Sequence, residues 1–225
     1  MRTLTAVLLV LLPLAPALAQ EHDHGDHDAT MHHSFDNVEQ WVQVFDSPER
    51  NEWQRPAKVV RVIGLYDGNR VADIGAGTGY FTHVLSRAVG REGKVYAVDI
   101  EPEMLAYIDK REDLGPAEVV TIQADPDDPK LPDGELDVIL VVNTWHHIDG
   151  RMNYLTKLQR ALGVEGRVVV IDWREGELPM GPPAGSKLGR EAVIAEFEKA
   201  GWSHETESVL LPYQYFLVFY PPVAN

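Results

Sequence analysis

The sequence predicts an α/β domain: a mostly parallel, seven-stranded sheet flanked by helices, with a helical cover at its N-terminal edge. Two observations predict it. From Val71 onward, short apolar runs alternate with amphipathic stretches, the pattern of repeated βαβ units. The first run, Val71–Ile74, also leads straight into Gly75, Gly77 and Gly79, so a strand, a tight turn and a helix follow one another without a linker.

Each element has its own reason. Phe35 to Leu65 reads as helical, with Val38, Trp41, Val42 and Phe45 on one face and Ser47-Pro48-Glu49 restarting a helix. That second helix carries Trp53, Val59, Val60, Val62 and Ile63 and stops near Gly64 and Gly68. Trp41 and Trp53 are read as packing anchors. Strands follow at Val71–Ile74, Lys94–Val98, Val119–Gln123, Leu136–Val142 and Arg167–Ile171, with helices near Tyr80–Val89, Pro102–Lys110 and Met152–Leu162. A Gly/Pro-rich loop at Gly181-Pro182-Pro183 precedes a helix at Arg190–Ala200, and two late strands fall near Glu205–Leu210 and Tyr215–Phe219. Ligands of such sheets bind at the carboxyl ends of the strands. Asp73, Asp99, Asp125, Asn143 and Asp172 all fall there.

The glycine spacing selects the ligand. A dinucleotide site needs G-x-G-x-x-G, and its third glycine would fall where this chain has Tyr80. No Lys follows the glycines, so a Walker A phosphate loop is excluded too. What stands here is Asp73, then G-x-G-x-G, then Asp99 at the tip of the second strand. This set resembles motif I and the acidic loop of the class I S-adenosylmethionine (SAM) methyltransferases, whose fold is Rossmann-like. The resemblance runs from about Phe35 to the end of the chain. It implies that Gly75, Gly77 and Gly79 line the methionine part of SAM, that Asp99 holds the ribose and that Asp125 reads the adenine. Asp73 would either accept the ammonium group or orient the glycine loop.

After the fourth strand comes Asn143-Thr144-Trp145-His146-His147-Ile148-Asp149. In the resembled family this place faces the transferring methyl group, which puts Asn143 at the cofactor and His146 and His147 at the acceptor. The segment resembles the His-containing form of small-molecule methyltransferases of the ubiquinone-biosynthesis type. A histidine there is suited to take a proton from a hydroxyl acceptor. Phe45-Asp46-Ser47-Pro48-Glu49-Arg50, Trp53-Gln54 and Leu211-Pro212-Tyr213-Gln214-Tyr215-Phe216 resemble a bacterial subgroup of exported methyltransferase-like proteins. Gly163-Val164-Glu165-Gly166 occupies the place of the usual Pro-Gly-Gly turn before the fifth strand.

The ends and the composition bound the function. Met1-Arg2-Thr3, the apolar run Leu4 to Leu14 and Ala17-Leu18-Ala19 describe a cleavable secretory signal over residues 1–19, so a periplasmic or secreted location is expected, with no stable membrane anchor after cleavage. Residues 20–34 read as a His/Asp-rich tether. His22, His24, His27, His32 and His33 alternate with carboxylates there, a mixture competent to bind zinc, copper or nickel weakly. Residues 35–225 form the single domain. Without Arg2, 19 basic residues face 35 acidic ones, and a surface so acidic repels nucleic acid. The absence of cysteine excludes disulfides and thiol-relay methyl transfer. The expected function is SAM-dependent methyl transfer to a small molecule. The rival is an exported, non-enzymatic ligand- or metal-binding protein on the same fold.

Overall fold

The computed structural model describes residues 38–206 and 211–223. The signal, the His-rich tether with His22, His24, His27, His32 and His33, and the start of the domain at Phe35 lie outside the described residues. In chain order the elements are α1 (Val38–Phe45), α2 (Arg50–Gln54), α3 (Pro56–Ile63), β1 (Arg70–Ile74), α4 (Tyr80–Val89), β2 (Lys94–Asp99) and α5 (Pro102–Ile108). There follow β3 (Glu118–Gln123), β4 (Leu136–Val142), a 3-10 turn (Trp145–His147), α6 (Arg151–Ala161), β5 (Leu162–Trp173), a 3-10 turn (Ala184–Ser186), α7 (Arg190–Lys199), β6 (Ser203–Thr206) and β7 (Gln214–Tyr220).

The seven strands form one sheet in the order β3-β2-β1-β4-β5-β7-β6. The first five run parallel, and β7 inserts antiparallel between β5 and β6. The order reverses between β1 and β4, so the connections leaving these two strands depart in opposite directions. A crevice opens at their carboxyl ends for that reason. It lies between the glycine loop after Ile74 and the segment after Val142.

Period-two alternation sorts the core into two layers. Ala72, Ile74, Val98, Ile139, Val141, Val168 and Val170 pack with Leu155 and Leu158 of α6 and with Val193 and Phe197 of α7. Val71, Val95, Val138, Leu140, Val169 and Ile171 pack on the opposite face with Val59 and Ile63 of α3 and Phe81 and Leu85 of α4. Strands buried on both faces read as continuous apolar runs, and the predicted positions of β1, β2 and β4 agree with the observed ones for that reason. Asp73 shares the parity of Val71 and therefore faces α4. Among the described residues no helix is long and apolar enough to cross a membrane.

Three predicted elements differ; the late strand expected near Glu205–Leu210 is observed at Ser203–Thr206, and residues 207–210 lie outside the described residues. The predicted second helix is two, broken at Arg55, which takes a left-handed conformation (φ 47°). Pro56 causes the break: its ring disfavours helical geometry in the residue before it, yet suits the first position of a new helix. Of the apolar residues this segment carries, Val59, Val60 and Ile63 are buried and Val62 is 38% exposed. The fifth strand begins at Leu162 rather than Arg167, because the Gly163–Gly166 stretch is no turn. It continues the strand through a bulge, with Leu136 opposite Leu162 and Val138 already opposite Arg167.

Phe197 is the centre of the α7 layer. Its ring stacks on Phe219 at 3.6 Å and sits 5.0 Å from Trp145 and 5.5 Å from Trp202. Phe197→Ala is expected to cost about 3–5 kcal/mol of stability. Urea denaturation checks this, and a loss below about 1 kcal/mol would contradict the packing described.

Candidate active site

The glycine loop closes the crevice from the β1 side. Gly75, Gly77 and Gly79 all hold left-handed φ values, of 71°, 53° and 85°. Side-chain crowding adds a second requirement at Gly75, where a Cβ would collide with the Thr144 hydroxyl. At Gly77 a Cβ would lie 3.5 Å from the Phe45 ring. The loop is therefore pressed between the segment after β4 and the end of α1, and Gly79 caps α4.

Asp99 fixes this loop. Its Oδ2 accepts the Gly77 N–H at 2.7 Å, and its Oδ1 accepts the Glu101 N–H at 3.0 Å. Burial raises its pKa, while the N–H donors of Glu101, Gly77 and Ile100 pull it back. An ionised carboxylate is an acceptor with about four lone-pair sites, so each oxygen retains capacity for a further donor. Two acceptor oxygens at a strand tip, beside a glycine-rich loop, fit a ribose diol.

Asp73 is 2% exposed, and its Oδ2 accepts the Thr82 hydroxyl at 2.7 Å. That contact ties β1 to the first turn of α4. Burial pushes its pKa up to about 6, against the hydrogen bonds from Thr82. Asp125 lies beyond β3, beside the β2 tip, where the Ala124 N–H donates to the Asp99 carbonyl at 2.9 Å. Its own carboxylate is exposed and pairs with Lys130 Nζ at 2.7 Å.

On the β4 side, Asn143 is left-handed (φ 55°), and its Oδ1 accepts from Gln214 Nε2 at 2.5 Å. The Gln214 Oε1 accepts in turn from Gln54 Nε2 at 2.7 Å. His146 meets Asp172 at the tip of β5, with Nδ1 2.9 Å from both carboxylate oxygens. Asp172 also accepts the backbone N–H of Trp173 at 2.8 Å and of His146 at 3.3 Å, so its orientation is fixed from three sides. His147 is exposed, with its ring 4.0 Å from that of His146. Trp145 anchors this turn in the core, donating from Nε1 to Glu196 at 3.1 Å.

The helical cover is present. Asp46, just past α1, accepts from the Thr78 hydroxyl at 2.6 Å and from Arg111 at 2.7 Å, and Arg111 also donates to the Thr78 carbonyl. Trp41 packs on Phe45 and Trp53 on Trp173, each at 5.2 Å, as packing anchors. Among the described residues no group of three His, Asp or Glu side chains is placed to hold a metal. The crevice thus gathers Gly75, Gly77, Gly79, Asp73, Asp99, Asn143 and His146. Sequence reasoning gave no role to Arg50, Gln54 and Gln214 and did not pair Asp172 with His146. A carboxylate at a strand tip was the one signal for that pair.

Residues 71–177 match the family model of a methyltransferase domain. A SAM-dependent methyltransferase from Aquifex aeolicus, solved as a crystal structure, is 30% identical and superposes with a TM-score of 0.75 over 80% of this chain and 96% of its own. The chain belongs to the class I SAM-dependent methyltransferases. A putative type 11 methyltransferase from Sulfolobus solfataricus is 26% identical, with a TM-score of 0.58 over 70% of this chain and 86% of that one. A ubiquinone/menaquinone biosynthesis C-methyltransferase of Azotobacter vinelandii is 32% identical over 61% of this chain, which spans 52% of that relative's length.

In this methyltransferase fold the buried Asp73 works against stability when ionised. Its raised pKa means that its contribution is most favourable below the unfolded value of 3.8 and is lost as pH rises through about 6. Asp73→Asn is therefore expected to raise stability at pH 7.5, on the order of 2 kcal/mol, and to lose that advantage near pH 4. Thermal melts at the two pH values check it; a gain independent of pH would contradict the assignment.

Proposed function

We propose that this protein is a SAM-dependent methyltransferase acting on a small molecule that carries an acidic hydroxyl, methylated at that oxygen or at a carbon it activates. The observation that carries this reading is that the Asp99 carboxylate, which holds the glycine loop, and the Asp172–His146 pair both stand at the carboxyl ends of parallel strands of one sheet. When bound, SAM supplies an electrophilic methyl group on a sulfonium. Asp99 holds the ribose hydroxyls, Asp125 accepts from the adenine amine after releasing Lys130, and Asn143 lines the cofactor.

Asp172 accepts from His146 Nδ1, so the imidazole keeps its proton on that nitrogen and Nε2 remains a lone-pair base. His146 Nε2 takes the proton of the acceptor hydroxyl, Asp172 stabilises the resulting imidazolium, and the oxygen or its conjugated carbon becomes nucleophilic. His147, exposed beside it, contacts the acceptor from the solvent side. The acidic surface favours a small acceptor over nucleic acid. The similarity to ubiquinone/menaquinone biosynthesis C-methyltransferases supports a small-molecule acceptor. Export rests on the charged start, apolar run and Ala17-Leu18-Ala19 site of the first 19 residues.

Calorimetric titration with SAM and S-adenosylhomocysteine tests the reading. Binding is expected, with Asp99→Ala weakening it by about 100-fold through the loss of charge-assisted hydrogen bonds. Absence of binding in folded protein would overturn the reading. Once an acceptor is found, His146→Gln and Asp172→Asn are expected to lower turnover by about 100-fold or more without changing cofactor affinity. Unchanged turnover would remove the base from the mechanism. Export is checked by intact mass of the secreted protein, expected to begin at Gln20.

A further inference from the structure

Arg50 is a cation held inside the cover without an anion of its own. It opens α2, and its guanidinium lies 4.0 Å above the ring of Tyr80, the first residue of α4 after the glycine loop. Nη1 donates to the Phe45 carbonyl at 2.8 Å; Nε and Nη2 share the neutral Gln54 Oε1 at a long 3.4 Å. A guanidinium has five N–H groups, so one on each terminal nitrogen is left over. Among the described residues no carboxylate comes within ion-pair distance of it.

The nearby carboxylates are committed elsewhere. Asp46 is held by Thr78 and Arg111, and Asp73 by Thr82, although both attract Arg50 at longer range. Burial draws the Arg50 pKa down to about 10, so it stays charged at neutral pH while partly shielded from water. A half-buried cation without a direct counter-ion is costly, and a ligand that supplies the charge relieves that cost. The positive end of the ten-residue α4 lies on the same side, at Gly79 and Tyr80. Gln54 holds the guanidinium in place, itself tied through Gln214 to Asn143.

We infer that Arg50 receives the carboxylate at the amino-acid end of the bound cofactor. The inference rests on the methyltransferase reading and adds to it the residue that completes recognition of a zwitterion. Asp73, whose partner Thr82 is uncharged, suits the ammonium, and Arg50 suits the carboxylate. The planar fork pairs with a carboxylate through two parallel bonds, which a lysine cannot reproduce.

The test compares two ligands that differ in this end alone. S-adenosylhomocysteine carries the amino acid, and 5′-methylthioadenosine lacks it. Arg50→Gln is expected to weaken S-adenosylhomocysteine about 30-fold and 5′-methylthioadenosine by no more than about threefold, with Arg50→Lys in between. Retained 5′-methylthioadenosine binding shows that the variant is folded with its ribose and adenine sites intact. If both ligands weaken equally, or neither does, Arg50 is not the carboxylate receptor. If wild-type protein binds neither ligand, the methyltransferase reading falls and this inference with it.

Discussion

The hydrogen bond from the Gly77 N–H to the Asp99 carboxylate is the contact on which the crevice depends. Three consecutive loop residues hang on the end of β2: the N–H groups of Gly75 and Ala76 both reach the Val98 carbonyl, at 2.8 and 3.0 Å, and Gly77 reaches Asp99. A loop so rich in glycine loses much conformational entropy on folding, and these bonds offset that loss. Asp99 is therefore a structural acceptor before it is a receptor. Its remaining lone pairs are presented to a ligand because its other ones already hold the loop. Parallel pairing of β1 with β2, Asp73 opposite Ala97 and Ile74 opposite Val98, puts the carboxylate within reach.

The other wall is held by amides. Arg50, Gln54, Gln214 and Asn143 form one chain of hydrogen bonds across elements far apart in sequence, and Gln54 and Gln214 are almost fully buried within it. Buried amides are costly unless satisfied, and here each has a partner, so the chain rigidifies the crevice. It also holds Asn143 in a left-handed conformation that a residue other than glycine rarely adopts. The turn that follows carries Thr144 against Gly75 and His146 against Asp172. The helical cover and the turn carrying His146 are thus parts of one hydrogen-bonded wall.

What was legible in the sequence follows from this division. The strands buried on both faces, and the helix Tyr80–Val89 set by Gly79 and Gly90, were readable because local composition dictates them. The same holds for Gly75 and Gly77, whose left-handed geometry is a local demand, and for Asp99, which ends an apolar run. The break at Arg55 was hidden by a helical period that continues through it, although Pro56 marks it. The bulge at Gly163–Gly166 was hidden because its cause is pairing with Leu136, on another strand. Likewise, the link between His146 and Asp172, and the amide chain joining Gln54 to Gln214, are long-range contacts. Residue type shows that such groups need partners; only the fold shows which.

The electrostatics of the crevice bear on what it is built to hold. Asp73 and Asp99 are both buried enough for their pKa values to rise, so the site is charged against its solvation. Asp46 is ion-paired with Arg111, whereas Asp73 has Thr82 as its hydrogen-bond partner and Arg50 at a distance. An excess of desolvated negative charge is relieved by a ligand bearing positive charge, and a sulfonium with an ammonium group brings two. The ligand's own carboxylate would be repelled by these acids without a cation beside them, and Arg50 is the guanidinium stacked on Tyr80 at the start of α4. The acids thus favour the charge that reacts, and the arginine makes the oppositely charged end tolerable.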